Sequence, residues 1–240
     1  MVDDGSEDGT SEIVRDLFPE VHVISGDGNL FWNRGMRLAW ENAAVSRPDY
    51  YLWINDDTFL NENAVKVLVD GCRCRERESV IVGAIGSERH PGPTYGGRNA
   101  QAVLLAPNGT WQKCQLFNGN CVLIPATVFD RLGNLDEHFH HALGDFEYGL
   151  RAIAAGIDSY LTPCYVGTCE KHTSLPDWCN PEVSFRKRWQ LFFSPLGCSP
   201  KDLFYFNRKY RNLFWAVGVL ASNFLRVCFP QYWCQSKEKK

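Results

Sequence analysis

Two groups of acidic residues near the start of the chain have the composition of a ligand site. The stretch "VDDGSEDGT" places Asp3 and Asp4 beside glycine, and "NDDT" places Asp56 and Asp57 directly after the apolar run "YYLWI". Carboxylate oxygens are the ligands that divalent cations such as Mg²⁺ prefer. Two acidic loops that lie close together repel each other unless a cation lies between them. These residue types therefore indicate a site for a divalent ion that carries a diphosphate.

A calcium loop is a second interpretation of the first stretch, because Asp4, Ser6 and Asp8 alternate and Gly9 follows them. The helix-loop-helix calcium motif needs a bidentate Glu at its twelfth position, and counted from Asp4 that position is Arg15. A cation at this position argues against calcium. A solvated acidic segment is the remaining alternative.

Apolar runs alternate with amphipathic segments and would position these loops. The runs "YYLWI", "SVIVGAIG" and "CVLIP" are typical of buried strands, and "AVLLAPNGTW" predicts a hairpin around its Asn-Gly pair. We expect a helix capped by Thr10 or Ser11, with Ile13, Val14 and Leu17 on its apolar face, and Asn33 should cap the next helix. The pattern predicts an α/β fold with a mainly parallel sheet, in which ligands bind beyond the carboxyl ends of the strands.

Composition narrows the class of protein. The chain has 240 residues, of which 45% are hydrophobic and 22% charged, so it can bury a globular core. A formal net charge of -3 gives no electrostatic signature of nucleic-acid binding. Ten cysteines without any C-x-x-C pair indicate cytosolic thiols, and the C-x-C of Cys72 and Cys74 is only a weak zinc signal.

Three motifs in the correct order resemble family 2 glycosyltransferases, which are nucleotide-sugar-dependent enzymes of the GT-A fold. "VDDGSEDGT" is similar to the family's nucleotide loop, and "NDDT" resembles its Asp-x-Asp metal motif in the Asn-x-Asp form of rhamnosyltransferase-like members. "NGNCVLIPATVFDRLGNLDEHFHHALGDFEYGLRAIAAG" resembles the acceptor-side segment. The resemblance runs from about Val2 to His172.

The resemblance implies that Asp3 contacts the nucleobase of the nucleotide sugar and that Asp56 contacts its ribose or diphosphate. It also implies that Asp4 and Asn33 contact the nucleotide sugar. It implies that Asp57 ligates Mg²⁺ or Mn²⁺ and that His172 contacts the metal or a phosphate. It also implies that Asp145 is the catalytic base. The alternatives are a structural histidine at His172 and a simple helix cap at Asp145.

The segment "FEYGLRAIAAG" that follows Asp145 predicts a helix. Leu150, Ile153 and Ala154 should face the core, and Gly156 should cap its C-terminal end.

The chain departs from the family pattern at two places. Family members begin with a further strand and helix before the acidic loop, and the resemblance implies that this chain lacks them. Its nucleotide pocket would then be incomplete, and the alternatives are a truncated start, a degenerate family member or a partner that supplies the missing strand. The second departure is Gly144, where the family has Glu, which leaves Asp145 and Glu147 as the nearby acids.

The last part of the chain differs in composition, and we predict a catalytic domain over residues 1–175 and a helical, aromatic-rich extension over 176–240. From Arg208 to Lys240 there are seven Lys or Arg and one acid. The uncharged run between Arg211 and Arg226 has 14 residues, fewer than the ~20 that span a bilayer. This segment either lies in a membrane interface or packs against the catalytic domain.

The sequence thus predicts an inverting, metal-dependent glycosyltransferase that acts on a glycan or a lipid-linked acceptor in cell-surface polysaccharide synthesis. Its expected location is the cytoplasm, with peripheral contact to the inner face of the plasma membrane. The alternative is a degenerate relative that binds a sugar nucleotide or glycan without catalysis.

Overall fold

A computed structural model describes residues 1–171 and 175–234. The strands are β1 (Val2–Asp3), β2 (Ile24–Ser25), β3 (Tyr50–Ile54), β4 (Phe59–Leu60), β5 (Val80–Gly86), β6 (Pro93–Tyr95), β7 (Gly97–Arg98), β8 (Gln112–Cys114), β9 (Leu116–Phe117), β10 (Cys121–Pro125) and β11 (Ser159–Thr168). The helices are α1 (Thr10–Leu17), α2 (Phe31–Ala44), α3 (Ala64–Arg73), α4 (Ala126–Leu132), α5 (Gly144–Ala154), α6 (Phe185–Phe193), α7 (Pro200–Tyr210), α8 (Leu213–Cys228) and α9 (Gln231–Cys234). The predicted α/β architecture is confirmed.

The central sheet has seven strands, in the order β3-β10-β5-β11-β4, with β6 on β5 and β8 on β11. Of its pairs, β5 with β11 is parallel and the others are antiparallel. Strands β1 and β2 form a separate parallel pair. The prediction of a mainly parallel sheet is therefore wrong for this central sheet.

Strand β10 is the reason for this difference. Strands β3, β5 and β11 all run in one direction, as a parallel sheet would require, but β10 lies between β3 and β5 and runs the opposite way. All five residues of β10 are buried. A strand buried on both faces has the same apolar composition in either direction, so its direction cannot be predicted from its sequence.

The core occupies both faces of this sheet, because successive side chains of β5 point to opposite sides. Val80 and Val82 pack with Trp40 of α2 and Tyr148 of α5 on one face. On the other face, apolar side chains of α3 cover the sheet, among them Leu68. The two layers of helices hold the strand ends in place from both sides.

Helix α1 departs from the prediction. It begins at Thr10, and its apolar stripe lies in solvent, where Ile13 is 55% and Leu17 is 67% exposed. Its capping residue is Gly9 in a left-handed conformation, so neither Thr10 nor Ser11 caps it. No side chain of α1 is buried among the described residues.

The predicted hairpin is also absent from the described residues. Asn108 and Gly109 form a turn in which the Gly109 amide donates to the carbonyl of Pro163. The following strand, β8, pairs with β11 and not with the segment before the turn.

Helix α7 packs against the segment that links α4 to α5. Lys209 forms ion pairs with Asp136 at 2.9 Å and with Glu147 at 3.0 Å, and Asp202 contacts His140 at 3.1 Å. Helix α8 packs along α7, and α6 contacts α8 through aromatic side chains. The domain boundary at residue 175 stays a prediction.

Candidate active site

The end of β3 and the start of β10 bring distant residues together. The Asn55 amide, just after β3, donates to the Asn120 carbonyl at 3.3 Å. The indole N–H of Trp32, in the first turn of α2, donates to the Asn55 side-chain oxygen at 2.8 Å. A Cβ at Gly119 would lie 2.3 Å from the Trp32 ring, so only glycine lets the ring approach this closely. Together these contacts form one contiguous wall.

Asp145 completes this wall from the first turn of α5. Its carboxylate accepts hydrogen bonds from the Gly119 amide at 3.0 Å and the Phe146 amide at 2.8 Å. We call the five residues Trp32, Asn55, Gly119, Asn120 and Asp145 the strand-end cluster. Because its members come from four separate segments, the cluster depends on the whole fold.

The protonation of Asp145 is controlled by its surroundings. Burial of the carboxyl group raises the pKa of Asp145 to about 6, although the two amide hydrogen bonds and the nearby charge of Arg98 oppose the rise. The helix dipole at the start of α5 acts in the same lowering direction. Desolvation therefore outweighs the dipole, and the group is more basic than an ordinary aspartate.

Asp56 and Asp57 lie beside the cluster, in the turn between β3 and β4. Both side chains are exposed, and the turn is closed by the Thr58 amide donating to the Asn55 carbonyl at 3.2 Å. Asp57 lies near Cys169, at the end of β11, where burial and then the Asp57 charge raise the thiol's pKa to about 11. That thiol stays protonated at neutral pH.

These two carboxylates fit a hard divalent cation in type and accessibility, because exposed oxygen ligands leave coordination positions for water and phosphate. Within residues 1–171 and 175–234, no group of three His, Cys, Asp or Glu is arranged to hold a metal by itself. A metal here would take its remaining ligands from a diphosphate or water. His172 lies outside the described residues, and its predicted contact stays a prediction.

Asp3 and Asp4 both bind the protein itself. Asp3 accepts from the Ser6 amide at 2.9 Å and from the Ser11 hydroxyl, and this hydroxyl contributes most to lowering the pKa of Asp3 to about 2. Asp4 accepts from three amides of the loop before α2, Gly28, Leu30 and Phe31, at 2.8 to 2.9 Å. Asp4 thus fixes the entry of the helix that carries Trp32. Their contacts to a nucleotide stay predictions.

Asn33 does not cap α2, because the helix begins at Phe31 and Asn33 lies within it. Its fully buried amide donates to the carbonyls of Asp136 and Phe139 at 3.0 and 2.9 Å. A Cβ at Gly144 would lie 1.7 Å from the Asn33 oxygen. Any side chain in place of Gly144 would collide with this amide, which explains the glycine at this position. A donor contact by Asn33 stays a prediction, and its burial argues for an indirect role.

Glu147 is the other acid near Asp145, and its side chain is fully buried. It accepts from Arg151 through both oxygens, from Lys209 at 3.0 Å and from the Tyr210 hydroxyl at 2.8 Å. These four hydrogen bonds engage both oxygens of the Glu147 carboxylate with protein donors. Glu147 anchors α7 to α5 and leaves Asp145 as the candidate base.

The sequence-based prediction assigned a role to Asp145 but to none of the other four residues of the strand-end cluster: Trp32, Asn55, Gly119 and Asn120. Asn55 lies in the motif "NDDT", and the "NGN" at 118–120 precedes a buried strand and is typical of a turn. The sequence pattern predicts Trp32 only as part of an amphipathic helix. The zinc alternative also finds no support, since Cys72 is buried and its thiol pKa is raised to about 12.

Comparison with known proteins identifies the family to which the chain belongs. The family model described as "Glycosyl transferase family 2" matches residues 1–129. The chain belongs to glycosyl transferase family 2. The matched part contains both acidic loops and the Asn55–Asn120 contact, whereas Asp145 lies beyond it.

A solved structure similar to this family 2 chain is GalNAc-T7 with UDP, GalNAc and Mn²⁺, with a TM-score of 0.54 and 12% sequence identity. The match covers 72% of this chain and 37% of that chain. At this identity the likeness concerns the fold alone, and it confirms the predicted GT-A fold. A search of curated proteins finds no match. Among the described residues, no helix combines the length and apolarity needed to cross a membrane.

Proposed function

We propose that this chain transfers a sugar, with inversion, from a nucleotide-sugar donor to a glycan or lipid-linked acceptor. The strand-end cluster is the observation that carries the proposal, because it holds a carboxylate of raised pKa beside the exposed pair Asp56 and Asp57. The rhamnosyltransferase-like subtype, a role in cell-surface polysaccharide synthesis and a cytoplasmic location belong to the same proposal.

Asp145 is the proposed base. Inversion requires a group on the acceptor side that takes the proton of the attacking hydroxyl while the nucleoside diphosphate leaves from the other face. A carboxylate with a pKa of about 6 is largely ionised at neutral pH and is still more basic than an ordinary Asp. The Gly119 and Phe146 amides hold its two oxygens in a set orientation. The accepted proton would reside on one of these oxygens.

Asp57, with Asp56 beside it, would hold the Mg²⁺ or Mn²⁺. The ion would neutralise charge that develops on the leaving diphosphate. The Mn²⁺ and UDP bound in the GalNAc-T7 structure support a divalent ion in this fold. Trp32 and Asn55, linked at 2.8 Å, would orient the turn that carries both carboxylates.

Calorimetric titration of UDP with and without Mn²⁺ tests the proposal. We expect tighter binding with the metal in the wild type, and no such difference in Asp57→Asn, which keeps the shape and removes the charge. Glu62→Gln is the matched control, because Glu62 is another exposed acid close to the same turn. Equal affinity with and without metal in the wild type would remove the metal from the proposal.

A degenerate, non-catalytic relative is the second candidate. It is favoured by the internal hydrogen bonds of Asp3 and Asp4, which leave fewer free acceptors for a nucleotide. Release of nucleoside diphosphate from a panel of nucleotide sugars separates the two. Metal-dependent donor binding without any turnover would favour the non-catalytic relative.

Peripheral membrane contact is the remaining part of the proposal. Phe214 is 88% exposed and Trp215 is 57% exposed at the start of α8, and Arg208 and Arg211 precede them on the surface. Exposed aromatic side chains beside cations are typical of segments that lie in the interface of an anionic bilayer.

A further inference from the structure

A cleft of about 780 Å³ lies between the outer face of α2, the segment before α5 and the first turns of α7. Leu30, Arg34 and Leu38 line it on the α2 side, and Lys201 and Tyr205 line it on the α7 side. No member of the strand-end cluster lines it. The cleft is therefore a separate concave surface beside the candidate active site.

Several of the charged or titratable groups around this cleft already have partners. These pairs are Arg37–Glu137 at 3.7 Å, His140–Asp202 at 3.1 Å and Lys209–Asp136 at 2.9 Å. In Arg37–Glu137 and Lys209–Asp136 the two charges compensate each other, whereas the contact of His140 with Asp202 is a hydrogen bond to the acid. The electrostatic character of the cleft depends on the remaining charged groups.

Four such groups remain among the described lining residues: the cations Arg34 and Lys201 and the acids Glu41 and Asp202. Arg34 and Lys201 are both neighbours of His140, because the Arg34 amide donates to the His140 carbonyl and the residue after Lys201 pairs with the His140 ring. Glu41 lies seven residues after Arg34, about 10 Å along the helix axis. Near His140 the two cations Arg34 and Lys201 therefore lie with one acid, Asp202, which leaves an excess of one positive charge at this end of the cleft.

The same end offers a flat wall. The rings of His138 and Tyr205 stack with centroids 3.7 Å apart and planes 19° apart. The Tyr205 hydroxyl donates to Asp136 at 3.1 Å, which fixes the ring. Ligand pockets commonly combine such an apolar wall with a few convergent polar groups. A sugar ring beside an anionic group matches both features.

We propose that this cleft binds a phosphate ester of the acceptor, with the phosphate on Arg34 and Lys201 and an attached sugar near the His138–Tyr205 stack. The inference rests on the proposed function, because an acceptor exists only if the chain transfers sugar. Guanidinium and ammonium groups that lack other partners are suited to phosphate oxygens.

The cleft and the strand-end cluster share structural elements, so a ligand in one is held in a defined relation to the other. Arg34 follows Trp32 by two residues in α2. Between them Asn33 donates through its backbone amide to the His140 carbonyl at 3.1 Å and through its side chain to the Phe139 carbonyl at 2.9 Å. The segment that ends at Asp145 thus forms part of the wall of the cleft and of the cluster.

Titration with glucose 1-phosphate, and with methyl glucoside as the phosphate-free analogue, tests the proposal. We expect glucose 1-phosphate to bind the wild type and methyl glucoside to bind at least tenfold more weakly. The double variant Arg34→Gln/Lys201→Gln should weaken glucose 1-phosphate binding about tenfold. The control Arg47→Gln/Arg208→Gln removes two exposed cations elsewhere on the same two helical regions, with the same change in net charge, and should bind as the wild type does.

Equal binding by the two double variants, or no binding by the wild type, would overturn the proposal. Displacement of glucose 1-phosphate by lauryl phosphate would support a lipid-linked source of the phosphate, and displacement only by soluble sugar phosphates would support a soluble source. Circular dichroism and thermal unfolding check that each variant is folded.

A further titration, with the donor nucleotide UDP, separates this inference from the proposed function. UDP binding with Mn²⁺ should be the same in wild type and Arg34→Gln/Lys201→Gln. Weaker UDP binding in that variant would overturn the inference, because the cleft would then bind the donor diphosphate. If the phosphate result holds while no nucleotide sugar is turned over, the cleft stands as a phosphate site and the proposed function fails.

Discussion

Replacement of Asp145 by Asn tests the proposed base with little change in shape. The wild-type carboxylate accepts from Gly119 on one oxygen and from Phe146 on the other. An Asn side chain keeps one acceptor oxygen and turns an N–H₂ group toward the other amide. One buried amide then loses its partner, which costs about 1–3 kcal/mol.

A second contribution to the free energy of unfolding acts in the opposite direction. Burial raises the pKa of Asp145 from 3.8 to about 6, so ionising it in the folded protein at neutral pH costs roughly 3 kcal/mol. Because the folded pKa is the higher one, the protonated group's stabilising contribution is fully present below about pH 4 and is lost as the pH rises through about 6. Asn removes this penalty at neutral pH. The two terms nearly cancel, and we expect the free energy of unfolding at pH 7.5 to change by less than about 2 kcal/mol.

Activity should respond very differently. We expect nucleoside diphosphate release in the presence of acceptor to fall by about 10²-fold or more, as for the loss of a general base. The wild-type rate should decline below about pH 6 as Asp145 becomes protonated, and the residual rate of the variant should lack this acidic limb. A coupled assay across pH 5 to 8 measures both, with Asp16→Asn on the exposed surface of α1 as the control.

A variant that transferred sugar at a near wild-type rate would refute this reasoning and leave Asp145 as a helix cap. An acidic limb that persisted unchanged in the variant would also contradict it, because the titrating group would then be another residue.

Three further predictions concern the surroundings of the site. Trp32→Phe removes the hydrogen bond to Asn55 and should weaken metal-dependent UDP binding severalfold, with thermal stability lowered by about 1 kcal/mol or less. Gly144→Ala places a methyl group against the Asn33 amide and should destabilise the fold by about 1–3 kcal/mol; the same change in an Asn33→Ala background should cost less, and equal costs by denaturant titration would reject the contact. The protein should sediment with anionic vesicles at low salt and be released at high salt, more weakly in Trp215→Ser, whereas no binding at low salt would leave α8 as a packed helix only.

The sequence alone determined much of the secondary structure in the matched domain. The strand predicted from "YYLWI" is observed at Tyr50–Ile54, and that from "CVLIP" at Cys121–Pro125. It also predicted a helix that begins near Asp145 and ends before Gly156, which has the left-handed φ of 73° expected after a helix end. These features depend on local periodicity and on single-residue conformational preferences.

The helical faces were predicted less well. Ile153 was expected in the core of α5 and is 41% exposed, whereas Tyr148 and Ala152 are fully buried. A helix can be rotated about its axis at little local cost, and the packing partners decide which face turns inward. In α5 the ion pair of the buried Glu147 with Lys209 of α7 contributes to the orientation of the helix, and the sequence of α5 alone does not predict this pair.

Only the tertiary structure decided the direction of β10, the internal hydrogen bonds of Asp3 and Asp4, and the assembly of the strand-end cluster. The sequence indicated Asp145 as an acid in the right motif, but its raised pKa comes from burial and its orientation from the amide of Gly119, 26 residues away in the chain. Apolar periodicity is local and can be read from neighbouring residues, whereas desolvation and hydrogen-bond partners are set by segments that meet only when the chain is folded.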